Sequence, residues 1–310
     1  MFYILLAAIV FWLFYYLRCL EVYHAFRLLL NYQRVESLYG DLMEEWRSLN
    51  DSSASWINVG LWSAPGQSYT SAARALAGRL LEFGRVGELA PPASVLDVGC
   101  GLGDASLLWA SQSPAGITFT GVNITASQVE EAQRRCVGIA NAPTYVVGDA
   151  TRLALPAASA AAVLALESAF HFDTRERFLG EAARVLRPGG RLAIADIIMS
   201  PAGFAWRRLF TNAALARFFC IPLANCVDAA ELTRQVRAAG FTDVRCESVA
   251  GNTFSGLLCC YADAWRKRGG WSRAPLRARA FHLLMMYGYR PLMLLAADYV
   301  LVAGVKPGPP

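Results

Sequence analysis

The chain has 310 residues, of which 55% are hydrophobic and 17% are charged. This length allows one large domain or two small ones, and this composition is too polar for a protein with many membrane spans. The net charge of +5 is uneven, because residues 199–310 hold 14 Lys and Arg against 6 Asp and Glu. A basic, apolar C-terminal third favours an anionic membrane surface over nucleic acid as a partner; a solvated basic face is the alternative.

Residues 1–30 predict a hydrophobic membrane-anchor helix. Residues 2–17 carry no charge, and as a helix they would extend roughly 24 Å, short of the ~30 Å hydrocarbon core. The stretch lacks the charged start and the cleavage site of a signal peptide. Arg18, Arg27 and Arg34 follow it, which predicts a membrane-associated protein whose remaining chain faces the cytoplasm. The alternative is a helix that is buried against the domain or in a dimer.

From about residue 93 the sequence alternates between apolar strands and amphipathic helices. This pattern predicts an α/β fold: a Rossmann-like, doubly wound, seven-stranded, mostly parallel sheet with helices on both faces. The predicted strands are 95–99, 117–123, 144–149, 161–168, 191–198, one within 229–249, and 298–307. The predicted helices are 104–111, 125–140, 174–190 with a Pro-Gly-Gly end, and one within 229–249. The ligand of such a sheet is expected beyond the carboxyl ends of the strands, at the topological switch point.

Two apolar and basic insertions interrupt this alternation, at residues 199–227 and 254–297. In the second, Arg277, Arg279 and Arg290 flank a long apolar run, as in helices that lie at a membrane interface. We expect the insertions to form a helical substrate cap. The alternatives are packing over the sheet and a homodimer interface.

The cysteines and histidines do not predict a metal site. The eight cysteines form no C-x-x-C pair, and the three histidines, His24, His171 and His282, are scattered. We therefore expect no metal, and reduced thiols in a cytosolic compartment.

The stretch VLDVGCGLGD, residues 95–104, leads from a strand into three alternate glycines. Asp104 occupies the position where a dinucleotide-binding G-x-G-x-x-G loop has its third glycine, so that spacing is not met. Asp97 lies within the strand end, where a carboxylate suits a cationic ligand that carries an amino group.

VLDVGCGLGD resembles the first motif of the class I S-adenosylmethionine-dependent methyltransferases, and the segments GVN, GDA, LALESAFHF and RVLRPGGRLAIAD follow in the order of the family's later motifs. The resemblance covers residues 56–198 well and 228–307 loosely. It implies a methyltransferase domain at 93–310, an N-terminal helical lid segment at 31–92, and S-adenosylmethionine as the cofactor.

The resemblance also implies roles for individual residues. The glycines would let the backbone approach the methionine and ribose parts of the cofactor, and Asp97 would orient its amino group. Asp149 would face the adenine; the alternative is a surface turn residue. The cofactor-binding residues implied are Asp97, Gly99, Cys100, Gly101, Gly103, Asn123, Ile124, Gln128, Asp149, Ala150, Glu167, Trp62 and Tyr69.

Asn123 departs from the family pattern, because most members carry Asp or Glu there to bind both ribose hydroxyls. An amide can bind one hydroxyl as acceptor and another as donor. This replacement, with Gln128 nearby, resembles the sterol, tocopherol and rebeccamycin-sugar branch, which acts on small molecules. The segment NVGLW, residues 58–62, also fits that branch, and places Trp62 and Tyr69 where they could face the sulfonium. Plain core packing of Trp62 is the alternative.

His171 and Glu167 are the candidate catalytic residues. Both lie at the predicted end of the fourth strand. An oxygen acceptor must lose a proton, and histidine suits that task near neutral pH. The alternative is a histidine that packs against the helix beginning near Thr174. Glu167 could instead contact the methionine part or a developing cation.

Three functions are compatible with the sequence. The first is methyl transfer to carbon or oxygen of a small lipophilic acceptor, such as an isoprenoid, sterol, quinone or polyketide-like molecule, at a membrane. The second is N-methylation of an amine or a phospholipid head group. The third is a non-catalytic cofactor-binding protein. Nucleic acid is not expected as a partner, because the sequence after the fourth strand is ESAF and not N-P-P-Y.

Overall fold

The computed structural model describes residues 48–51, 54–200, 220–274 and 276–308. The predicted anchor helix at 1–30 and most of the insertion at 199–227 lie outside these residues. Within the described part of the chain, every helix is too short or too polar to cross a membrane.

A seven-stranded sheet forms the centre of the domain, with the strand order β3-β2-β1-β4-β5-β7-β6. Strands β1 to β5 pair in parallel, and β7 runs antiparallel to both β5 and β6. The fold class predicted for the sheet is confirmed. The strands are β1 (Ala93–Val98), β2 (Ile117–Asn123), β3 (Thr144–Val147), β4 (Ala160–Leu166), β5 (Leu186–Met199), β6 (Thr242–Ser248) and β7 (Ala297–Val305).

Helices cover both faces of this sheet, because side chains alternate along its buried strands. In β1, Val95 packs into a core on one face, while Leu96 and Val98 pack into a core on the other. The helices are α1 (Tyr69–Phe83), α2 (Asp104–Gln112), α3 (Ala126–Arg135), α4 (Arg175–Val185), α5 (Ala229–Ala238), α6 (Phe254–Lys267), α7 (Gly270–Arg273), α8 (Leu276–Leu283) and α9 (Arg290–Leu295). A π-helix, Leu284–Tyr289, joins α8 to α9.

Helix α4 ends five residues earlier than predicted. Leu186 already has an extended backbone, and the Arg-Pro-Gly-Gly stretch belongs to β5. Proline cannot continue a helix and restricts the residue before it to extended conformations, so Pro188 ends α4 upstream of itself. Helix α3 similarly ends at Arg135, and Gly138 follows with a left-handed φ of 81°.

The second insertion forms helices α6 to α9 and packs on the core around α1. Leu257, Tyr261, Phe281 and Met293 are buried there, in the same cluster as Tyr299 of β7. These helices therefore extend the core on the α1 face of the sheet. Their role as a substrate cap stays a prediction.

Candidate functional site

A cavity of about 920 Å³ opens at the carboxyl ends of β1, β2 and β4. Strand β1 has β2 on one side and β4 on the other, and the strand order runs outward from it in both directions. This is the switch point at which open α/β sheets bind ligands. The cavity lies where the sequence analysis expects the ligand.

The first two glycines of the loop after β1 line this cavity. Gly99 has φ 79° and Gly101 has φ 54°, a left-handed conformation that glycine adopts without strain. A Cβ on Gly99 would lie 2.3 Å from the Cβ of Ser168. A backbone free of side chains is therefore required here both by conformation and by packing.

Gly103 has a different role from the one predicted. It does not line the cavity, and a Cβ on it would lie 2.4 Å from the hydroxyl of Tyr145. It starts α2 with φ 82°. The third glycine therefore allows α2 to pack closely on the β3 side of the sheet, which is a structural task.

Asp97 is buried in the cavity wall, with 1% of its surface exposed. Ser106, on α2, donates a hydrogen bond to its carboxylate. Burial raises the pKa of Asp97 to about 7, and the bond from Ser106 opposes this rise. A cationic ligand group beside Asp97 would favour the ionised form.

The ends of β2 and β3 supply the predicted ribose and adenine residues. Asn123 and Gln128 line the cavity together, and Nδ2 of Asn123 donates to Oε1 of Gln128 over 2.8 Å. Ile124, beside them, is 58% exposed at the cavity surface. Asp149 also lines the cavity, but its Oδ1 accepts bonds from the backbone N–H and hydroxyl of Thr151. One carboxylate oxygen of Asp149 is thus already used in hydrogen bonds within its own turn.

The remaining predicted cofactor-binding residues of these loops are also in the cavity wall. Cys100 lies between Gly99 and Gly101, and burial raises the pKa of its thiol. Ala150 follows Asp149 and is 7% exposed. Neither side chain carries a charged group, so each contributes only to the shape of the cavity wall.

Glu167 connects the cavity to the N-terminal segment. Its Oε1 accepts hydrogen bonds from the backbone N–H of Val59 and from the hydroxyl of Tyr299, each over 2.8 Å. Its own backbone is left-handed, with φ 50°, a strained conformation for a residue other than glycine. Burial raises the pKa of Glu167 to about 8, against the effect of these two hydrogen bonds. A strained residue with a perturbed carboxyl group in a cavity is a candidate for function.

His171 lines the same cavity from a short 3-10 helix, Ala169–His171. Its Nδ1 lies 3.4 Å from the carbonyl oxygen of Cys220, and its ring packs against that of Phe170 with a centroid distance of 3.9 Å and an interplanar angle of 41°. A neutral imidazole has one donor and one acceptor nitrogen, so a proton on Nδ1 that faces this carbonyl places the basic lone pair on Nε2. In that tautomer, Nε2 is the nitrogen of His171 that can accept a proton.

Trp62 and Tyr69, which are predicted to face the cofactor, do not line the cavity. The Tyr69 side chain is buried, and its hydroxyl donates to the carbonyl of Asn58 over 2.7 Å. The Trp62 indole donates to the carbonyl of Val59 over 2.8 Å and packs against Gly256. Both side chains thus donate hydrogen bonds to the backbone of the segment at 56–59.

Two sets of cavity residues lie in the segments predicted as lid and substrate cap but were not named individually. Residues 55–58 form one wall, and the backbone N–H of Ser55 donates to Asp104 over 3.1 Å. Residues 220–223 form another wall beside His171. The NVGLW motif begins with Asn58, which belongs to the first wall, but Trp62 of the same motif does not line the cavity. Among the described residues of the insertion at 254–297, none lines the cavity.

Comparisons with known proteins agree with this geometry. A family model described as a methyltransferase domain matches residues 96–194. The chain is 32% identical over 270 residues to erythromycin 3''-O-methyltransferase of Saccharopolyspora erythraea, across 82% of this chain and 84% of that protein. It is 33% identical over 215 residues to the O-methyltransferase resE of Aspergillus sclerotiorum, across 66% of this chain and 78% of that protein.

The fold is also similar to a solved structure, that of the [4+2]-cyclase SpnF. The TM-score is 0.67 at 23% identity, over 90% of this chain and 97% of that chain. The sheet order and the glycine-lined cavity at its switch point define a Rossmann-like domain that binds a nucleoside cofactor. The chain belongs to the class I S-adenosylmethionine-dependent methyltransferases, in the branch that acts on small molecules. It is therefore an enzyme, and S-adenosylmethionine is its cofactor.

Proposed function

We propose that this enzyme transfers a methyl group to a hydroxyl oxygen of a small lipophilic acceptor, with His171 as the base. The observation that carries the proposal is the position of His171 in the same cavity as the glycine loop, with Nδ1 directed to a backbone carbonyl. Two relatives that match most of their own length are named as O-methyltransferases.

The cavity fits S-adenosylmethionine, which supplies an electrophilic methyl group on a sulfonium. Gly99 and Gly101 offer a backbone without side chains, and two buried carboxyl groups, Asp97 and Glu167, suit a ligand with cationic centres. Asn123 donates through Nδ2 to Gln128, so its amide oxygen is the acceptor that it can offer to a ribose hydroxyl. Asp149 and Ile124 would then adjoin the adenine.

The protein's own contribution is alignment, exclusion of water and removal of one proton. Alignment of two reactants in a closed cavity can lower the barrier by about 7–11 kcal/mol. Nε2 of His171 accepts the proton of the acceptor hydroxyl as the oxygen–methyl bond forms, and the carbonyl of Cys220 stabilises the N–H on Nδ1. The sulfonium–methyl bond would break in the same step, so the products would be the methyl ether and S-adenosylhomocysteine, and the imidazolium later releases the proton to solvent.

The acceptor end of the cavity is mainly apolar. Phe172, Ile221, Pro222 and Leu223 line it around His171. Leu223 is 55% exposed and lies at the cavity surface. An apolar wall at the opening favours a lipophilic acceptor, of the isoprenoid, sterol, quinone or polyketide-like kind, over a charged head group.

The test begins with the acceptor. Incubation with radiolabelled S-adenosylmethionine and a lipid extract, followed by mass spectrometry, is expected to give a labelled methyl ether. A labelled amine or phospholipid head group would contradict the proposal and favour N-methylation.

With that acceptor, His171→Ala should lower turnover by about 100-fold or more. The dissociation constant of S-adenosylhomocysteine, measured by calorimetry, should stay unchanged because the glycine loop is intact. His282→Ala is the matched control, since His282 stacks on Trp265 outside the cavity and should leave turnover unchanged. A wild-type rate in His171→Ala would end the assignment of the base.

We further propose that the enzyme meets its acceptor at a membrane, with the domain on the cytoplasmic side. The sequence supports this through the uncharged stretch at 2–17. The described residues add Tyr287, Leu294 and Leu295, which are 77%, 44% and 70% exposed near the exposed Arg290. Exposed aromatic and aliphatic side chains beside a cation suit a lipid interface.

Flotation of the full-length protein with vesicles tests the membrane proposal. We expect binding to phosphatidylcholine vesicles that increases when phosphatidylglycerol is added, and weaker binding of the variant Tyr287→Ser/Leu294→Ser/Leu295→Ser. Protein that stays at the bottom of the gradient would contradict membrane association and leave methyl transfer unaffected. Conversion of a dimer to a monomer by the variant would show that these residues form a homodimer interface instead.

A further inference from the structure

We infer that Asn225 is a positioning residue for His171: its buried side chain holds the backbone on both sides of that histidine and joins it to the cavity wall at 220–223. The inference depends on the proposed role of His171 as the base. Asn225 lies at the end of a short 3-10 helix, Leu223–Asn225, and 2% of its surface is exposed.

The amide group of Asn225 binds the loop that carries His171. Its Nδ2 donates to the carbonyl of Phe172 over 2.7 Å and to the carbonyl of Phe170 over 3.0 Å. These two residues are the immediate neighbours of His171 in the chain. One side chain thus holds the peptide groups before and after the proposed base.

The other side of the Asn225 amide is held by α4. Its Oδ1 accepts from the backbone N–H of Arg175 over 2.8 Å, and its backbone carbonyl accepts from Nη1 of Arg175 over 3.0 Å. Arg175 is itself fixed by a fully buried ion pair with Asp196 of β5, over 2.8 Å. Asp196 also accepts from the backbone N–H of Phe170 over 3.3 Å. The sheet, α4 and the loop therefore converge on one asparagine.

This arrangement decides how far His171 lies from its partner carbonyl. Cys220 lies five residues before Asn225 in the same described segment, and its carbonyl is the one 3.4 Å from Nδ1 of His171. Cys220 has a left-handed backbone, with φ 51°, so its geometry is held by its surroundings. By fixing both the loop and the wall, Asn225 sets the ring orientation and the tautomer of the base.

The variant Asn225→Asp tests this directly, because it keeps the shape and the acceptor oxygen but loses the Nδ2 donor. The probe is the imidazole Cε1–H signal of the full-length protein in ¹³C–¹H NMR, with His171→Ala used to assign the His171 signal among three histidines. We expect the His171 signal to shift in Asn225→Asp. The matched control is Gln235→Ala, a buried amide on α5, which should leave that signal in place.

Turnover with the identified acceptor provides the second readout. Asn225→Asp should lower kcat by about 10- to 100-fold through misplacement of the base, and should cause no further loss in a His171→Ala background. The affinity for S-adenosylhomocysteine should stay at the wild-type value. An unshifted His171 signal, or an equal loss of kcat with and without His171, would overturn the inference. A wild-type rate in the single variant His171→Ala would instead contradict the proposed function of His171 as the base, and this outcome is distinguishable from the first two.

Discussion

At the cofactor end of the cavity, two polar side chains bind residues close to them in the chain, whereas the acceptor end is joined by contacts between distant segments. Asn123 and Gln128, which form a hydrogen bond, are five positions apart, and Asp97 and Ser106 are nine apart. By contrast, Asn225 binds the Phe172 carbonyl across 53 positions. The difference shows that Asn123 and Asp97 are held by local contacts, while the acceptor half depends on how an insertion returns to the sheet.

The largest effect is expected at the acceptor end, from Arg175→Met. The change leaves the buried Asp196 carboxylate without its guanidinium and should lower the free energy of unfolding by about 3–5 kcal/mol. Urea denaturation measures it. Arg177→Met, at an exposed position on the same helix, is the matched control. An equal, small loss in both variants would show that the buried pair does not hold this end together.

A somewhat smaller loss is expected at the cofactor end, from Gly99→Ala. The new Cβ meets Ser168 and forces a left-handed conformation on alanine, which should cost about 2–4 kcal/mol of unfolding free energy. Adding Ser168→Gly to the Gly99→Ala variant should recover part of that loss, because it removes the side chain that the new Cβ meets. Gly180→Ala, on α4 with open space around it, should not destabilise the fold. If Gly99→Ala unfolds like wild type, the loop is less constrained than the geometry indicates.

A still smaller effect is expected from Asn123→Ala, which removes one cofactor contact. Loss of one hydrogen bond should raise the dissociation constant of S-adenosylhomocysteine by about tenfold at most. Calorimetry measures it, with Gln133→Ala on the same helix as Gln128 as the control. An unchanged constant would mean that Asn123 serves only its bond to Gln128.

The last effect is a change in the pH dependence of stability and concerns Glu167, which adjoins both ends. Its pKa is about 8 in the folded protein and about 4.3 in an unfolded chain. Between these values the folded state binds more protons than the unfolded state, so this group makes stability fall as pH rises through that window. Glu167→Gln should flatten the fall in unfolding free energy measured by urea between pH 5 and pH 9. Asp97, with its pKa of about 7, would still contribute in the lower part of the window. Identical slopes in both proteins would refute the raised pKa of Glu167.

The sheet, the cavity and its local residues could be predicted because each depends on a short pattern. Asp97 lies in a strand that its apolar run identifies, Gly99 follows that strand, and Asn123 ends the next one. The orientation of Trp62 and Tyr69 could not be predicted, since packing against Gly256 and the backbone at 56–59 decides it. Asn225 was missed for a related reason: no pattern near it in the sequence indicates that it binds Arg175, which lies 50 positions away.

The segment at 54–60 has a kinetic consequence for the catalytic cycle. It is tied to opposite sides of the cavity by two carboxyl groups, through Ser55 to Asp104 and through Val59 to Glu167. A hydrogen bond contributes about 0.5–1.5 kcal/mol to stability, and about 1.5–3 kcal/mol where the partner is ionised, so opening of this wall is uphill but reversible. Any spent cofactor that leaves past the segment must wait for both bonds to break. The opening rate then sets an upper bound on turnover, however fast the methyl group is transferred.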